Sequence, residues 1–167
     1  MRKPLKLALA LLLLVATTAA LMSLSGYALV FYPSGDVGKN KTYPFAELSF
    51  EEGRWDAYLI FGLYDYDGTL DDVKRKGGRV LRMKDPAVLT DLKKLKFKWH
   101  GELGTPPDTV LLIRKNGKIM FSAYILLERG DVGLQSSQFG FIKPEDRQAF
   151  LGIFYQFKRV YSPLVIL

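Results

Sequence analysis

The chain has no cysteine and a single histidine, His100. Without cysteine it can form no disulfide, no thiolate zinc site and no lipid-modified cysteine. One histidine excludes a metal site built from several imidazoles. The sequence also lacks a serine-nucleophile motif and a glycine-rich phosphate loop. We therefore expect no cofactor and no metal, and we interpret His100 as a loop residue.

Apolar residues, by contrast, are plentiful. Hydrophobic residues make up 49% and aromatic residues 13% of the 167 positions, and no repeat or low-complexity tract interrupts them. Such a chain can bury enough apolar surface to offset the conformational entropy that folding removes. We expect one packed domain over residues 27–167, after a separate N-terminal segment over residues 1–26.

The N-terminal segment has the composition of a membrane-targeting sequence. Three basic residues open it: Arg2, Lys3 and Lys6. An apolar run then extends from Leu7 to Met22, and this order keeps the N-terminus cytoplasmic. One interpretation is a signal peptide cut after Ala20 or Ala28. The other is an uncleaved signal-anchor, since about 20 helical residues span the hydrocarbon of a bilayer. Both predict a cell-envelope protein, either membrane-anchored or periplasmic or extracellular.

Hydrophobic periodicity predicts several strands in the body of the chain. Residues 27–32 form an apolar run that we interpret as a buried strand ending at Pro33. Ala46, Leu48 and Phe50 alternate with polar residues, which is typical of a strand with one solvated face. Residues 55–64 are mainly apolar at both odd and even positions, so a strand here would bury both of its faces. This pattern favours a central strand.

Two helices and a hairpin complete the prediction. Asp85 and Pro86 form a typical helix start, and a strand over residues 95–99 follows this helix. Asn116-Gly117 lies between two apolar runs and predicts a two-residue hairpin. A second helix opens at residues 144–146, with an aromatic stripe that continues to Tyr161. An apolar tail, 163–167, is predicted to add a last strand. The expected fold class is α+β, one small domain with a largely antiparallel sheet and two helices, preceded by the apolar N-terminal helix.

Charge is divided unevenly along the chain. Residues 35–73 carry nine acidic and three basic side chains, whereas residues 74–98 carry ten basic and two acidic ones. A basic face of this kind would meet an acidic protein partner of the cell envelope or an anionic membrane surface. The binding residues that we predict are Arg79, Arg82, Lys93, Lys94, Lys96 and Lys98. Alternatively, the basic block is a solvated face that neighbouring carboxylates neutralise. Nucleic acid is not expected, because no aromatic-interleaved recognition pattern is present.

One short segment contains candidate catalytic residues. Residues 65–69 read Asp-Tyr-Asp-Gly-Thr after an apolar strand, which resembles the first motif of the haloacid dehalogenase superfamily of phosphatases. That resemblance implies Asp65 as phosphoryl-accepting nucleophile, Asp67 as general acid/base and magnesium held by carboxylates. It also implies parallel strands and a later acidic pair, and Gln135 stands where the second acid of that pair would be. Alternatively, residues 67 and 68 form a tight turn.

These observations favour a membrane-anchored or exported binding module over an enzyme. One concrete version is a toxin-neutralising immunity or inhibitor protein of the bacterial envelope, with a charged or aromatic surface that complements its target. Two alternatives stay open. The first is the magnesium-dependent phosphatase that uses Asp65 and Asp67. The second is a structural subunit of a membrane complex, whose N-terminal helix has small residues for helix contacts.

Overall fold

A computed structural model describes residues 2–32, 42–62, 79–101, 103–104, 107–127 and 131–167. Its helices are α1 (Arg2–Ser25), α2 (Pro86–Lys94) and α3 (Arg147–Phe154). Its strands are β1 (Leu29–Phe31), β2 (Trp55–Ile60), β3 (Val80–Met83), β4 (Phe97–Trp99), β5 (Val110–Lys115), β6 (Lys118–Leu127), β7 (Val132–Ser136), β8 (Gly140–Pro144), β9 (Lys158–Arg159) and β10 (Leu164–Ile166).

Eight strands form one antiparallel sheet in the order β4-β8-β7-β6-β5-β2-β3-β9. Two further strands, β1 and β10, form a separate parallel pair, which we call the ribbon. Strand β2 lies between β3 and β5, and all six of its residues are buried, as the apolar run from Trp55 predicts. The α+β class and the largely antiparallel sheet are thus confirmed.

Both faces of the large sheet contribute residues to a hydrophobic core. Helices α2 and α3 cover one face, where Leu89, Leu92, Phe150 and Phe154 join the main core. The ribbon covers part of the other face and adds Val165 to a smaller core. Because successive strand residues point to opposite faces, β2 supplies side chains to both cores.

Helix α2 begins as predicted, whereas the second predicted helix is shorter than its aromatic stripe. The Asp85 side chain accepts a hydrogen bond from the Ala87 backbone N–H at 2.9 Å, which satisfies one free donor of the first turn. Helix α3 starts after Asp146 and ends at Phe154, while residue 144 belongs to β8. Phe157 is still buried, but Tyr161 is 67% exposed, so the stripe extends beyond the helix.

Two strand predictions need correction. Residues 46–50 form turns and irregular backbone rather than a strand, although Leu48 and Phe50 are buried in the main core. Their alternation reflects alternate burial of a turn segment rather than sheet pairing. The strand within residues 27–32 exists as β1, but Leu29 and Phe31 are exposed and only Val30 faces the core. The predicted last strand is present as β10.

Helix α1 extends away from the domain. Pro4–Ser25 has a mean hydropathy of 2.4 and is 0% buried, so it is long and apolar enough to cross a membrane. Its backbone ends at Gly26, whose φ of +82° reverses the chain toward β1. Only Ala19, Met22 and Ser23 near that end are partly covered. A signal sequence near an N-terminus meets the same criteria of length and hydropathy.

The Asn116-Gly117 hairpin is confirmed, with φ values of +52° and +84°. The turn also fastens the neighbouring strand. Asn116 donates its backbone N–H to the Arg54 carbonyl at 2.8 Å, and its side-chain oxygen accepts from the Arg54 N–H at 2.9 Å. Arg54 directly precedes β2, so one residue links the hairpin to the central strand.

Replacing Asn116 with alanine is expected to lower the free energy of unfolding by about 2 kcal/mol. About half comes from the positive φ, which alanine tolerates poorly, and about half from the lost hydrogen bond. A urea titration of the full chain in detergent, followed by tryptophan fluorescence, measures the change. Asn116→Gly keeps the φ and loses only the hydrogen bond, so it should cost about half as much. Equal losses would show that the φ contributes nothing.

Candidate functional site: a basic groove beside the apolar helix

An open groove of about 1090 Å³ lies at the β9 edge of the large sheet. Residues 82–85 with Val88 form one wall, and residues 155–161 form the other. The first wall comprises the end of β3 and the start of α2. The second wall follows α3, where Phe157 is buried in the main core and fixes the position of β9. The groove therefore lies between the β3–α2 segment and the segment that follows α3.

The groove has an excess of positive charge. Its lining contains four cations and one carboxylate: Arg82, Lys84, Lys158, Arg159 and Asp85. The carboxylate already caps α2. Lys84 and Lys158 are exposed, and neither ammonium group has a carboxylate partner within the part of the chain that the structure describes. These two lysines can thus bind an anion without first breaking an ion pair among the described residues.

Arg82 connects the groove to a buried ion cluster. Its Nη2 lies 2.6 Å from Oδ2 of Asp56, a residue that is only 4% exposed. Arg114 donates two hydrogen bonds to the same carboxylate, from Nε at 3.0 Å and from Nη2 at 3.1 Å. The Tyr58 ring lies near both guanidinium groups, with its centre 5.1 Å from Cζ of Arg82 and 4.9 Å from Cζ of Arg114. One carboxylate therefore holds two arginines of neighbouring strands.

The cluster changes the acidity of its members. Burial alone would raise the pKa of the Asp56 carboxyl, but the hydrogen bonds and charges of Arg114 and Arg82 outweigh burial and lower that pKa. Burial and the nearby Asp56 charge raise the pKa of the Tyr58 hydroxyl. Asp56 is thus ionised and Tyr58 neutral at neutral pH. This chemistry suits a structural cluster rather than a general acid.

Arg159 connects the groove to α1. Its Nη2 donates to the carbonyls of Ser23 and Leu24 at 2.8 Å and 2.9 Å. The last carbonyls of a helix have no intrahelical partner and carry partial negative charge, so a guanidinium stabilises them. The backbone N–H of Arg79 also donates to the Gly26 carbonyl at 2.9 Å. The end of α1 is therefore fastened to the wall of the groove.

Replacing Arg159 with methionine is expected to increase amide hydrogen exchange in the last turn of α1 about tenfold. Two charge-assisted hydrogen bonds at this partly exposed position contribute about 1.4 kcal/mol, which corresponds to that factor in a local opening equilibrium. Exchange followed by mass spectrometry on residues 21–27 measures it. The adjacent Lys158→Met removes an equal charge and serves as control. Similar exchange in both variants would contradict the fastening role.

The structure disperses the basic residues that we predicted to bind together. Arg79 lies near the end of α1, with its Cζ 4.2 Å from the centre of the Tyr27 ring. Arg82 belongs to the ion cluster and the groove. The four lysines lie at the other end of the strand order, at the end of α2, in the link that follows it and on β4: Lys93, Lys94, Lys96 and Lys98. The six residues thus occupy separate surfaces.

Two carboxylates lie beside three of these four lysines. Lys94 pairs with Asp91 at 2.6 Å, and Lys96 and Lys98 both approach Glu145, at 3.6 Å and 3.5 Å. A smaller groove of about 530 Å³ beside them has two lysines and three carboxylates in its lining. This lining therefore has no excess of positive charge. The groove at β9 is consequently the better candidate for binding an anionic partner.

The residues proposed for phosphatase chemistry, Asp65 and Asp67, lie outside the described residues. The strand that precedes them, β2, has antiparallel neighbours on both sides, whereas the resemblance implies a parallel sheet. Within the described residues, no group of three or more acidic, histidine or cysteine side chains is placed to hold a metal ion. His100 follows β4 in a loop, with its ring edge-on to Phe141.

Known proteins do not identify this groove. Comparison with protein-family models, curated proteins and solved structures gives no match. Sequence reasoning included Lys84 in the basic block but missed Lys158 and Arg159, because the aromatic stripe suggested that the helix continues through them. The adjacent Lys-Arg pair was the available signal, and nothing in the sequence joins it to residues 82–85.

Proposed function

We propose that this protein is a membrane-anchored, non-enzymatic binding module that holds an acidic segment of a protein partner at the surface of a cell-envelope membrane. The observation that carries the proposal is the excess of positive charge in a groove that is fastened to the apolar helix. Lys84 and Lys158 supply exposed ammonium groups at its opposite walls. A peptide with two or more carboxylates satisfies both.

The groove has features of a protein-binding surface as well as charge. Tyr155 and Tyr161 line the same wall as Lys158. Tyrosine is common in interfaces because it offers a rigid apolar ring with a polar end. Electrostatic complementarity of this kind accelerates association and selects acidic partners. A toxin-neutralising immunity or inhibitor protein of the envelope is one kind of module that would work in this way.

The continuity between α1 and the domain supports an uncleaved anchor. Ser23, Leu24 and Gly26 all accept hydrogen bonds from the domain. Removal of residues 1–28 would take away all three contacts, and a cut after residue 20 would leave a five-residue stub of helix. Retention of α1 would hold the groove close to the membrane surface, where a membrane-bound partner is concentrated.

The first experiment is capture of the tagged full-length protein from native membranes, with mass spectrometry of its partners and of its own N-terminus. An intact Met1 supports the anchor, whereas a bait that begins near Leu21 or Leu29 contradicts it. The captured partner is then purified, and its affinity for the full chain in nanodiscs is measured at two salt concentrations.

Charge reversal tests the groove directly. Lys84→Glu with Lys158→Glu is expected to weaken binding of that partner at least about tenfold and to reduce its salt dependence. Lys93→Glu with Lys118→Glu makes the same change in net charge at exposed lysines outside the groove, and it should alter affinity less than about twofold. Equal effects of the two double variants would reject the groove as the binding site.

A further inference from the structure

The outer face of the ribbon is apolar and exposed. Its four outward side chains are 56%, 59%, 47% and 72% exposed: Leu29, Phe31, Leu164 and Ile166. The parallel register places them in two adjacent pairs, with residue 29 beside 164 and residue 31 beside 166. Alternation along each strand brings all four to the same face. A water-facing surface of this composition is unusual, since large apolar side chains seldom cluster in the open.

Packing of the domain does not account for these four residues. The inward side chains of the ribbon, Val30 and Val165, already pack against the large sheet, where they contact the smaller core. A strand that only covered a sheet would have polar residues on its outer side. The outward positions are apolar as well, so both faces of the ribbon favour an apolar environment.

The ribbon is held at the end of α1. Strand β1 begins four residues after the helix ends, and the Leu29 N–H donates to the Pro163 carbonyl at 2.8 Å. Arg159 and the Arg79 backbone fasten the last turn of α1 to the strands beside the ribbon. An α1 that crosses a bilayer would therefore bring the ribbon to the surface of that bilayer.

The rim of the ribbon has the composition of a membrane interface. Tyr27 is 48% exposed and Tyr161 is 67% exposed. Each ring stacks with a guanidinium group, from Arg79 and Arg159 respectively. Tyrosine and arginine concentrate where hydrocarbon meets headgroups, because the ring is amphipathic and the cation binds phosphate. Residues 20–32 and 160–167 carry no charged side chain.

We propose that the outer face of the ribbon inserts into the interfacial layer of the same bilayer that α1 crosses, on the side where the helix ends. Leu29, Phe31, Leu164 and Ile166 enter the boundary between headgroups and acyl chains, and the two arginines bind phosphate above them. The occupant of this face is lipid rather than a protein, because the face is continuous with the membrane helix. The inference goes beyond the proposed function and requires no partner in the groove.

The absence of cysteine makes the test direct. Single cysteines are placed at Ile166 and, independently, at Phe31, and each carries a nitroxide in the full chain reconstituted into phospholipid vesicles. Accessibility to oxygen, which concentrates in lipid, is compared with accessibility to a water-soluble nickel chelate. Lys118→Cys on the exposed hairpin is the aqueous control, and Leu14→Cys in the middle of α1 reports insertion of the helix.

The expected result is that both ribbon labels collide with the nickel chelate several-fold less often than the label at residue 118, while oxygen reaches them more readily. Ribbon labels as accessible to nickel as the control, with residue 14 in lipid, would overturn the proposal. So would residue 14 in water, or dipolar broadening between ribbon labels of two copies, which would show that a second protein chain covers the face. Failure of the charge-reversal test on the groove leaves this result unaffected.

Discussion

Replacing Asp56 with asparagine is expected to lower the free energy of unfolding by about 3 kcal/mol at neutral pH. The substitution leaves Arg82 and Arg114 side by side without their shared counter-charge, and removing one partner of a buried ion pair typically costs about 3–5 kcal/mol. The lower end applies because the Arg82 side chain is 30% exposed. Urea unfolding of the full chain in detergent, followed by tryptophan fluorescence, measures the change.

The loss should depend on pH in a defined direction. The folded pKa of Asp56 lies below its ordinary value of 3.8, so the folded state favours the ionised form. The ionised Asp56 contributes its full stabilisation when the pH is above the ordinary pKa of the unfolded state. That stabilisation is lost as the pH falls through the lower pKa of the folded state. The difference between wild type and Asp56→Asn should therefore be constant near neutrality and shrink below about pH 4.

The matched control is Asp131→Asn. Asp131 pairs with Lys143 at 2.6 Å, but its side chain is 48% exposed. Exposed pairs contribute little, because solvent screens them, so this variant should lose less than about 1 kcal/mol. A loss at Asp131 as large as that at Asp56 would show that burial of the cluster is not what makes it important.

Replacing Phe154 with alanine is expected to lower the free energy of unfolding by about 4 kcal/mol. The ring is completely buried, with its centroid 4.8 Å from that of Phe150 and 5.4 Å from that of Phe157. Truncation removes the buried area and leaves a cavity that its rigid neighbours cannot fill. The same urea titration measures this loss.

The Phe154 change should also weaken the groove. Phe157 loses a packing partner, and its position fixes the wall that carries Lys158 and Arg159. Affinity for a captured partner should fall even under conditions in which the variant remains folded. Phe154→Leu retains most of the volume and should cost about 1 kcal/mol with little effect on binding. Equal stability of the two variants would argue against a tightly packed core at this position.

The sequence predicts correctly those structural features that depend on a few adjacent residues. The Asp85-Pro86 helix start, the Asn116-Gly117 hairpin and the central strand from Trp55 are all present. A cap, a turn and a buried strand each follow from local geometry. The β7–β8 hairpin was missed, because Gly133 breaks the strand pattern. There an added Cβ would lie 2.7 Å from the Phe141 ring, a contact that exists only once the strands pair.

The candidate site was predicted less well than the fold. Sequence reasoning placed the basic residues on one face because they are close in sequence, but strand order puts Lys98 on the edge strand β4 and Arg82 on β3, next to the opposite edge. Charge that is contiguous along a chain becomes contiguous in space only within one helix or loop. Lys158 joined the groove instead, since β9 pairs with β3.

The sequence by itself determined the apolar N-terminal helix, the α+β class and the positions of the principal caps and turns, because each depends on hydrophobic periodicity or on the geometry of neighbouring residues. Only the tertiary structure decided which charges are neutralised, which cations share the groove, and that Leu29 and Phe31 face outward beside Leu164 and Ile166. The groove and the ribbon depend on pairing between strands that are distant in the sequence, such as Arg82 with Lys158 and Leu29 with Leu164, and no local interaction specifies that pairing.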